Sequence, residues 1–152
     1  MTRKTEGVFN LNVTIIAIIL ILSRKKKLDR DSTPGLSVEI VKLEQIPDER
    51  VAPGYSCGFA YTIKVENNSA TAVKLESRKW MIKHSDGNIE TVEGDGVVGQ
   101  QPVLKPGDSY TYTSYCLLYG ERCSMWGFYF GKDDDENPAL WRIPRFDMAC
   151  GE

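Results

Sequence analysis

The sequence predicts an all-β protein, an antiparallel sandwich of seven to eight short strands. Three observations indicate this class. Apolar and polar side chains alternate along most of residues 36–149, turn-forming residues recur about every ten residues, and no helical period of useful length appears after residue 35. A chain of 152 residues has room for one such domain and a short appendage, because single domains most often contain about 100 to 150 residues.

The clearest alternation lies in the first half of this body. Leu36, Val38 and Ile40 form the apolar face of a first strand, and residues 46–53 supply turn-forming residues after it. Residues 54–66 predict a long, half-buried strand, because the apolar side chains fall on one face. These side chains are Tyr55, Cys57, Phe59, Tyr61, Ile63 and Val65.

The next strand changes face part-way along its length. Val73 and Leu75 lie in one register, whereas Trp80 and Ile82 continue in the other. Because side chains alternate strictly across a strand, an extra residue must be inserted between the two pairs. We expect a β-bulge near residues 77–79.

Turn signals separate the remaining strands. Ser-Asp-Gly-Asn at residues 85–88 predicts a hairpin turn, and Lys-Pro-Gly-Asp at residues 105–108 predicts another. An acidic stretch at residues 133–138 precedes the last strand. The strands themselves are predicted, in order, at residues 89–93, 109–115 and 125–130 and around Trp141 and Ile143.

The N-terminal segment differs in composition from the rest of the chain. Residues 1–30 carry seven Lys and Arg against two acidic residues, whereas residues 31–152 carry twelve against nineteen. The apolar run Val13–Leu22 is shorter than the about 20 residues that a spanning helix needs. We therefore predict an extension with a linker over residues 1–35 and one β-sandwich domain over residues 36–152.

The role of residues 13–22 has three interpretations: a membrane or organelle-targeting segment, an additional strand, or a disordered extension. We expect a cytoplasmic protein, with membrane anchoring of a cytosolic domain and organelle targeting as alternatives. Membrane contact is expected only through residues 13–22. Nucleic acid is not an expected partner, because the acidic body lacks the clustered Lys and Arg that neutralise phosphates.

The cysteine and histidine content argues against a metal site. The four cysteines, Cys57, Cys116, Cys123 and Cys150, include no CxxC pair, and His84 is the only histidine. An even number of cysteines permits two disulfides, but a chain of this length can bury an adequate core without them. We therefore favour reduced, buried thiols.

Catalysis is not predicted. His84 stands just before a hairpin turn, where we expect it to be solvated, and no nucleophile elbow is present. Cys116 or Cys123 as a nucleophile would need a nearby base, and His84 is the only histidine that could serve. We predict no catalytic residue, no metal and no cofactor.

The run Gly94-Asp95-Gly96-Val97-Val98-Gly99 matches the pattern GxGxxG. In a dinucleotide-binding fold this pattern opens a helix, but here Gln100-Gln101-Pro102 and another strand follow. A glycine-rich loop can still direct amides at an anion, and Gly94, Asp95, Gly96 and Gly99, with Arg78, form a candidate anion site. From the residues alone we favour the interpretation that these glycines serve turn geometry.

Residues 92–114 resemble the signature of the ApaG domain family, and three further blocks agree with it. Ser-Arg-Lys-Trp at residues 77–80 resembles the family's Ser-Arg-His-Trp, Ser-Met-Trp-Gly-Phe-Tyr at 124–129 its Ser-Met-x-Gly-x-Tyr, and Ile-Pro-Arg-Phe at 143–146 its Ile-Pro-Pro-Phe. The resemblance implies an immunoglobulin-like or fibronectin type III-like sandwich. It also implies protein–protein interaction, or the binding of pyrophosphate or a nucleotide at the glycine loop.

We therefore predict a non-enzymatic binding module that recognises an unidentified protein partner. The alternative is a small anion-binding module that holds pyrophosphate or a nucleotide phosphate at the glycine-rich loop, residues 94–99. Exposed aromatic side chains would serve as anchors for a protein partner. The candidates are Trp80, Trp126, Trp141, Tyr110, Tyr112, Tyr115 and Tyr119.

Overall fold

A computed structural model describes residues 35–151, and the alternation of their side chains forms eight strands and one short 3-10 helix at Asp48–Arg50. The first four strands are β1 (Leu36–Gln45), β2 (Cys57–Asn67), β3 (Val73–His84) and β4 (Ile89–Asp95). The others are β5 (Val103–Leu104), β6 (Ser109–Leu118), β7 (Arg122–Asp133) and β8 (Pro138–Ala149). The predicted all-β class and the strand number are confirmed.

The strands form two antiparallel sheets. One sheet has the order β1-β2-β6, and the other has the order β4-β3-β7-β8, with β5 paired to the start of β3. The inner faces of both sheets supply one hydrophobic core. Its fully buried side chains include Ile63 and Val65 of β2, Leu75 of β3 and Tyr129 of β7.

The predicted bulge lies in β3 at Glu76. Leu75 faces Gly131 of β7 and Ser77 faces Phe130, so one residue of β3 has no counterpart. Burial changes face across this point, with Leu75 buried before it and Trp80 buried after it. The bulge therefore stands one residue before the expected range 77–79.

The favoured set of reduced thiols is wrong for two of the four cysteines. Cys57, the first residue of β2, and Cys150, which follows β8, form a disulfide with their Cα atoms 5.9 Å apart. This bond joins the two sheets at one end of the sandwich. Cys116 and Cys123 are free and buried, as expected.

The predicted extension 1–35, including residues 13–22, lies outside the described residues except for Gly35. The proposed domain boundary and the cytoplasmic compartment therefore stay predictions. Within residues 35–151, no helix has the length and apolar character that crossing a bilayer requires.

Candidate functional site

The glycine-rich loop is a tight turn that uses its own amides. The Gly96 N–H donates to the Glu76 carbonyl at the bulge, with 2.6 Å between nitrogen and oxygen. Val97 and Gln100 exchange two backbone hydrogen bonds, and the turn between them has positive φ values of 51° at Val98 and 74° at Gly99. Glycine is required at Gly96, because a Cβ atom there would overlap the Gln100 carbonyl oxygen.

Arg78 holds the glycine-rich loop through hydrogen bonds to carbonyl groups of the loop. Its Nη1 atom donates to the Gly96 oxygen at 2.8 Å and to the Asp95 oxygen at 3.2 Å. Gly94 lies opposite Arg78 on the β3–β4 ladder, and its missing side chain leaves room for the guanidinium. The structure thus brings Arg78 together with Gly94, Asp95 and Gly96, whereas Gly99 stands in the turn beyond them.

This arrangement bears directly on the pyrophosphate hypothesis. Three amides of the loop, those of Gly96, Val97 and Gln100, already donate to carbonyl oxygens of the chain. With these three amides occupied, the guanidinium of Arg78 is the cationic donor beside the loop, and the described residues provide no acidic partner for it within salt-bridge distance. Pyrophosphate binding at residues 94–99 stays a prediction.

A groove of about 290 Å³ opens between the two sheets beside Arg78. We call it the β4/β6 groove, because β4 and β6 form its two rims. Its floor and walls come from both sheets. The lining residues are Tyr55, Tyr61, Arg78, Trp80, Ile82, Glu90, Val92, Ser114, Tyr115, Cys116, Leu117 and Met125.

Sheet order explains why the sandwich is open at this position. β4 and β6 are edge strands, each paired on one side only, whereas the opposite edges, β1 and β8, contact each other. Asn67 N–H donates to the Asp108 carbonyl, which sets the hydrogen-bonded pairs of the β2–β6 ladder. By the same alternation, the backbone groups of Thr111, Thr113 and Tyr115 point to the free edge of β6.

Three tyrosines lie beneath Arg78 in the core. The hydroxyl groups of Tyr112 and Tyr129 hydrogen-bond each other, and Tyr61 packs nearby against Trp80. Burial raises the pKa of Tyr61, Tyr112 and Tyr129 above the ordinary value, and the positive charge of Arg78 opposes this increase. The tyrosines are therefore neutral hydrogen-bonding groups at physiological pH.

His84 is buried, which corrects the expectation of a solvated histidine. Its side chain is only 8% exposed, its Nε2 atom lies 3.1 Å from Glu90 Oε2, and Nδ1 has no hydrogen-bond partner. Tyr119 packs its ring against His84 and also against Tyr55, at centroid distances of 5.7 and 4.3 Å. The turn after His84 suggested exposure, but β3 extends to this residue and directs the ring inward.

Only two of the candidate aromatic anchors are largely exposed. Tyr115 is 68% exposed and Tyr119 is 50% exposed, and they lie at the same end of the β4/β6 groove. Trp80, Trp141 and Tyr112 belong to the core instead. Ile89 and Val92 of β4 add exposed apolar surface on the facing rim.

The fold and groove define a small all-β sandwich protein with an open edge. Comparison with known proteins identifies its family: the ApaG domain matches residues 52–133, more than half of the chain. The chain belongs to the ApaG domain family, which confirms the resemblance found in the sequence. The matched segment contains β2 through β7, and with them the glycine-rich loop and both rims of the groove.

Related proteins match this chain over most of their own length. Protein ApaG of Acidovorax sp. (strain JS42) is 42% identical over 110 residues, which cover 72% of this chain and 80% of the relative. Protein ApaG of Pseudomonas entomophila (strain L48) is 48% identical over 118 residues, 74% of this chain and 94% of the relative. The solved structure of an ApaA protein from Bordetella pertussis has a TM-score of 0.70 at 32% identity and covers 77% of this chain and 94% of its own. None of these names denotes an enzymatic activity.

Proposed function

We propose that this chain is a non-enzymatic module that binds a protein partner, in the form of an extended segment, in the β4/β6 groove. The observation that carries the proposal is the free edge of β6 beside exposed aromatic side chains. A partner strand that pairs with Thr111, Thr113 and Tyr115 would satisfy the backbone groups that β6 leaves unpaired. Tyr115 and Tyr119 would then supply apolar contact area, as aromatic residues do at many interfaces.

The two rims differ in a way that favours β6. β4 carries Glu90, Glu93 and Asp95, whereas β6, from Ser109 to Leu118, contains no charged residue. Charges on an edge strand oppose pairing with another chain, and an uncharged edge permits it. The proposed partner therefore adds to β6 and presents its side chains to the groove.

Selection of peptides from a random display library against the full chain tests this proposal without a known partner. Amide hydrogen exchange of the complex is expected to show protection along β6, at Thr113 and its neighbours. Replacing Tyr115 and Tyr119 with Ala is expected to weaken binding by about tenfold or more. The matched control replaces Val41 and Leu43, which are exposed on β1, and is expected to leave affinity within about twofold.

Two results would contradict the proposal: protection confined to the β1/β8 side, or equal loss of affinity in the two pairs of variants.

Arg78 favours a second candidate function, the binding of pyrophosphate or a nucleotide phosphate. Its guanidinium lines the groove and uses Nη1 alone for hydrogen bonds to the described residues. A planar guanidinium with free N–H groups suits a phosphate. Substitution at Gly96 would disturb the turn itself, so Arg78 is the position to change.

Thermal melts of the full chain, with millimolar pyrophosphate or ATP and with sulfate at matched ionic strength, test this second candidate. Ligand at 100 times its dissociation constant adds about 2.7 kcal/mol to the free energy of unfolding, a shift of several degrees. Arg78→Gln is expected to remove the shift, and Lys79→Gln, which removes the adjacent cation paired with Glu93, is expected to keep it. An equal response to sulfate would exclude a specific site.

A further inference from the structure

The two free cysteines lie next to each other where the chain passes from one sheet to the other. Cys116 is near the end of β6 and Cys123 is near the start of β7, on either side of the turn at residues 119–121, and each thiol is close enough to shift the pKa of the other. Both side chains are buried, but both residues line surface cavities. Cys116 lines the β4/β6 groove, and Cys123 lines a cavity of about 340 Å³ beside Arg122 and Arg145.

A buried base faces the second thiol. His84 is the direct partner of Cys123 on the β3–β7 ladder, which places their Cβ atoms about 4.5 to 5.5 Å apart. With its Nε2 hydrogen directed at the Glu90 carboxylate, His84 carries a lone pair on Nδ1. Nδ1 is buried without a hydrogen-bond partner, and an unpaired buried polar atom costs free energy.

The two thiols are not equivalent. The hydrogen bond from the Cys116 thiol lowers the pKa of Cys123, whereas the same interaction and burial raise the pKa of Cys116. The thiolate is the form that attacks a disulfide. Because Cys123 also faces His84 across the β3–β7 ladder, Cys123 is the thiol that reacts first, and Cys116 is the thiol that resolves the product.

We propose that Cys116 and Cys123 form a dithiol site that exchanges with disulfides of low-molecular-weight thiols and closes to an intramolecular disulfide. The Cys123 sulfur, after passing its proton to His84 Nδ1, attacks one sulfur of the incoming disulfide, whose S–S bond breaks. The departing thiolate takes the proton from His84. The Cys116 sulfur then attacks the Cys123 sulfur, and the second thiol leaves with the Cys116 proton.

The reaction balances in atoms and electrons. The protein loses two protons and two electrons, and the small disulfide gains both and becomes two thiols. The modification is stoichiometric and requires no turnover, so it is compatible with a non-enzymatic module. It links β6 to β7 beside Tyr119, at one end of the β4/β6 groove, and leaves Cys57–Cys150 unchanged.

Treatment of the full chain with excess oxidised glutathione, followed by peptide mapping by mass spectrometry without reduction, tests the site. We expect a Cys116–Cys123 linked peptide that reduced glutathione reverses, in the wild type and in a variant with Cys57→Ser and Cys150→Ser. Two free thiols after this treatment, in protein whose melting curve shows that it is folded, would overturn the proposal.

Single variants test the order of the steps. Cys116→Ser is expected to retain glutathione on Cys123, because the resolving thiol is absent. Cys123→Ser is expected to react at least about tenfold more slowly at Cys116, because that thiol ionises poorly. Equal rates in the two variants would overturn the assignment of Cys123 as the attacking thiol.

His84→Gln keeps a hydrogen-bond donor for Glu90 but removes the basic nitrogen. It is expected to slow the first step by about tenfold or more at neutral pH. An unchanged rate would overturn the role of His84 as the proton acceptor.

Discussion

The two long sides of the sandwich are built from the same kind of strand but end differently. On the closed side, β1 and β8 contact each other, and the Gly151 N–H donates to Gln45 Oε1 at 2.8 Å. On the open side, β4 and β6 stand apart around a groove. The difference teaches that edge strands, not core strands, decide where this fold can accept a partner, because only an edge leaves backbone groups unpaired.

The disulfide gives the largest expected effect on stability. Cys57 and Cys150 are 93 residues apart in sequence, and closing a loop of that length restricts the unfolded chain by about 4 to 5 kcal/mol in the loop-entropy model. Replacing both with Ala is expected to lower the free energy of unfolding by that amount, measured by urea denaturation. Cys116→Ala with Cys123→Ala closes no such loop in the reduced protein and is expected to cost less. An equal loss in the two double variants would show that burial, rather than the cross-link, stabilises the protein.

The buried tyrosines beneath the groove make the free energy of unfolding depend on pH in the alkaline range. Burial raises the pKa of Tyr61, Tyr112 and Tyr129, so these groups stay protonated in the folded state when the unfolded chain already ionises. Their contribution to stability is complete below pH about 10 and is lost as pH rises above it. Each such tyrosine lowers the free energy of unfolding by about 1.4 kcal/mol per pH unit there.

Urea denaturation at several values of pH measures this loss. Tyr112→Phe is expected to reduce the slope by one tyrosine. The same slope in the wild type and in Tyr112→Phe would contradict the assignment.

Local patterns in the sequence predicted the strands well, but they did not predict the contacts between strands that are distant in sequence. Alternation in residues 54–66 determined which side chains of β2 are buried, because a strand has only two faces. The change of face between Leu75 and Trp80 required a bulge, but any residue between them would satisfy it, which explains the error of one position. The Cys57–Cys150 pair and the burial of His84 depend on which strands become neighbours, and one strand's periodicity does not contain that information.

The sequence predicted which residues of the candidate site come together, but it did not predict how they are arranged. Arg78 and the glycine loop do meet, because β3 and β4 form a hairpin whose register places Arg78 opposite Gly94. The spacing of the glycines suggested amides directed at an anion, whereas the loop turns carbonyl oxygens toward the guanidinium. The groove had no local signal, since it results from the order of strands in two sheets.

The smallest expected effect on stability is the sharpest test of the open edge. Thr113 directs its N–H away from β2, so Thr113→Pro removes no backbone hydrogen bond of the ladder, only the exposed hydroxyl contact with Thr62, and is expected to cost about 1 kcal/mol or less. It does remove a donor from the free edge, and binding of an extended peptide to β6 is expected to be lost. Ser114→Pro, one residue along, removes a bond to Tyr61 within the sheet and is expected to cost about 3 kcal/mol or more. Urea denaturation and peptide titration of both variants would show whether β6 is an edge that binds. Retained peptide affinity in Thr113→Pro would contradict binding by strand pairing with β6. Equal destabilisation by the two prolines would contradict the assigned register.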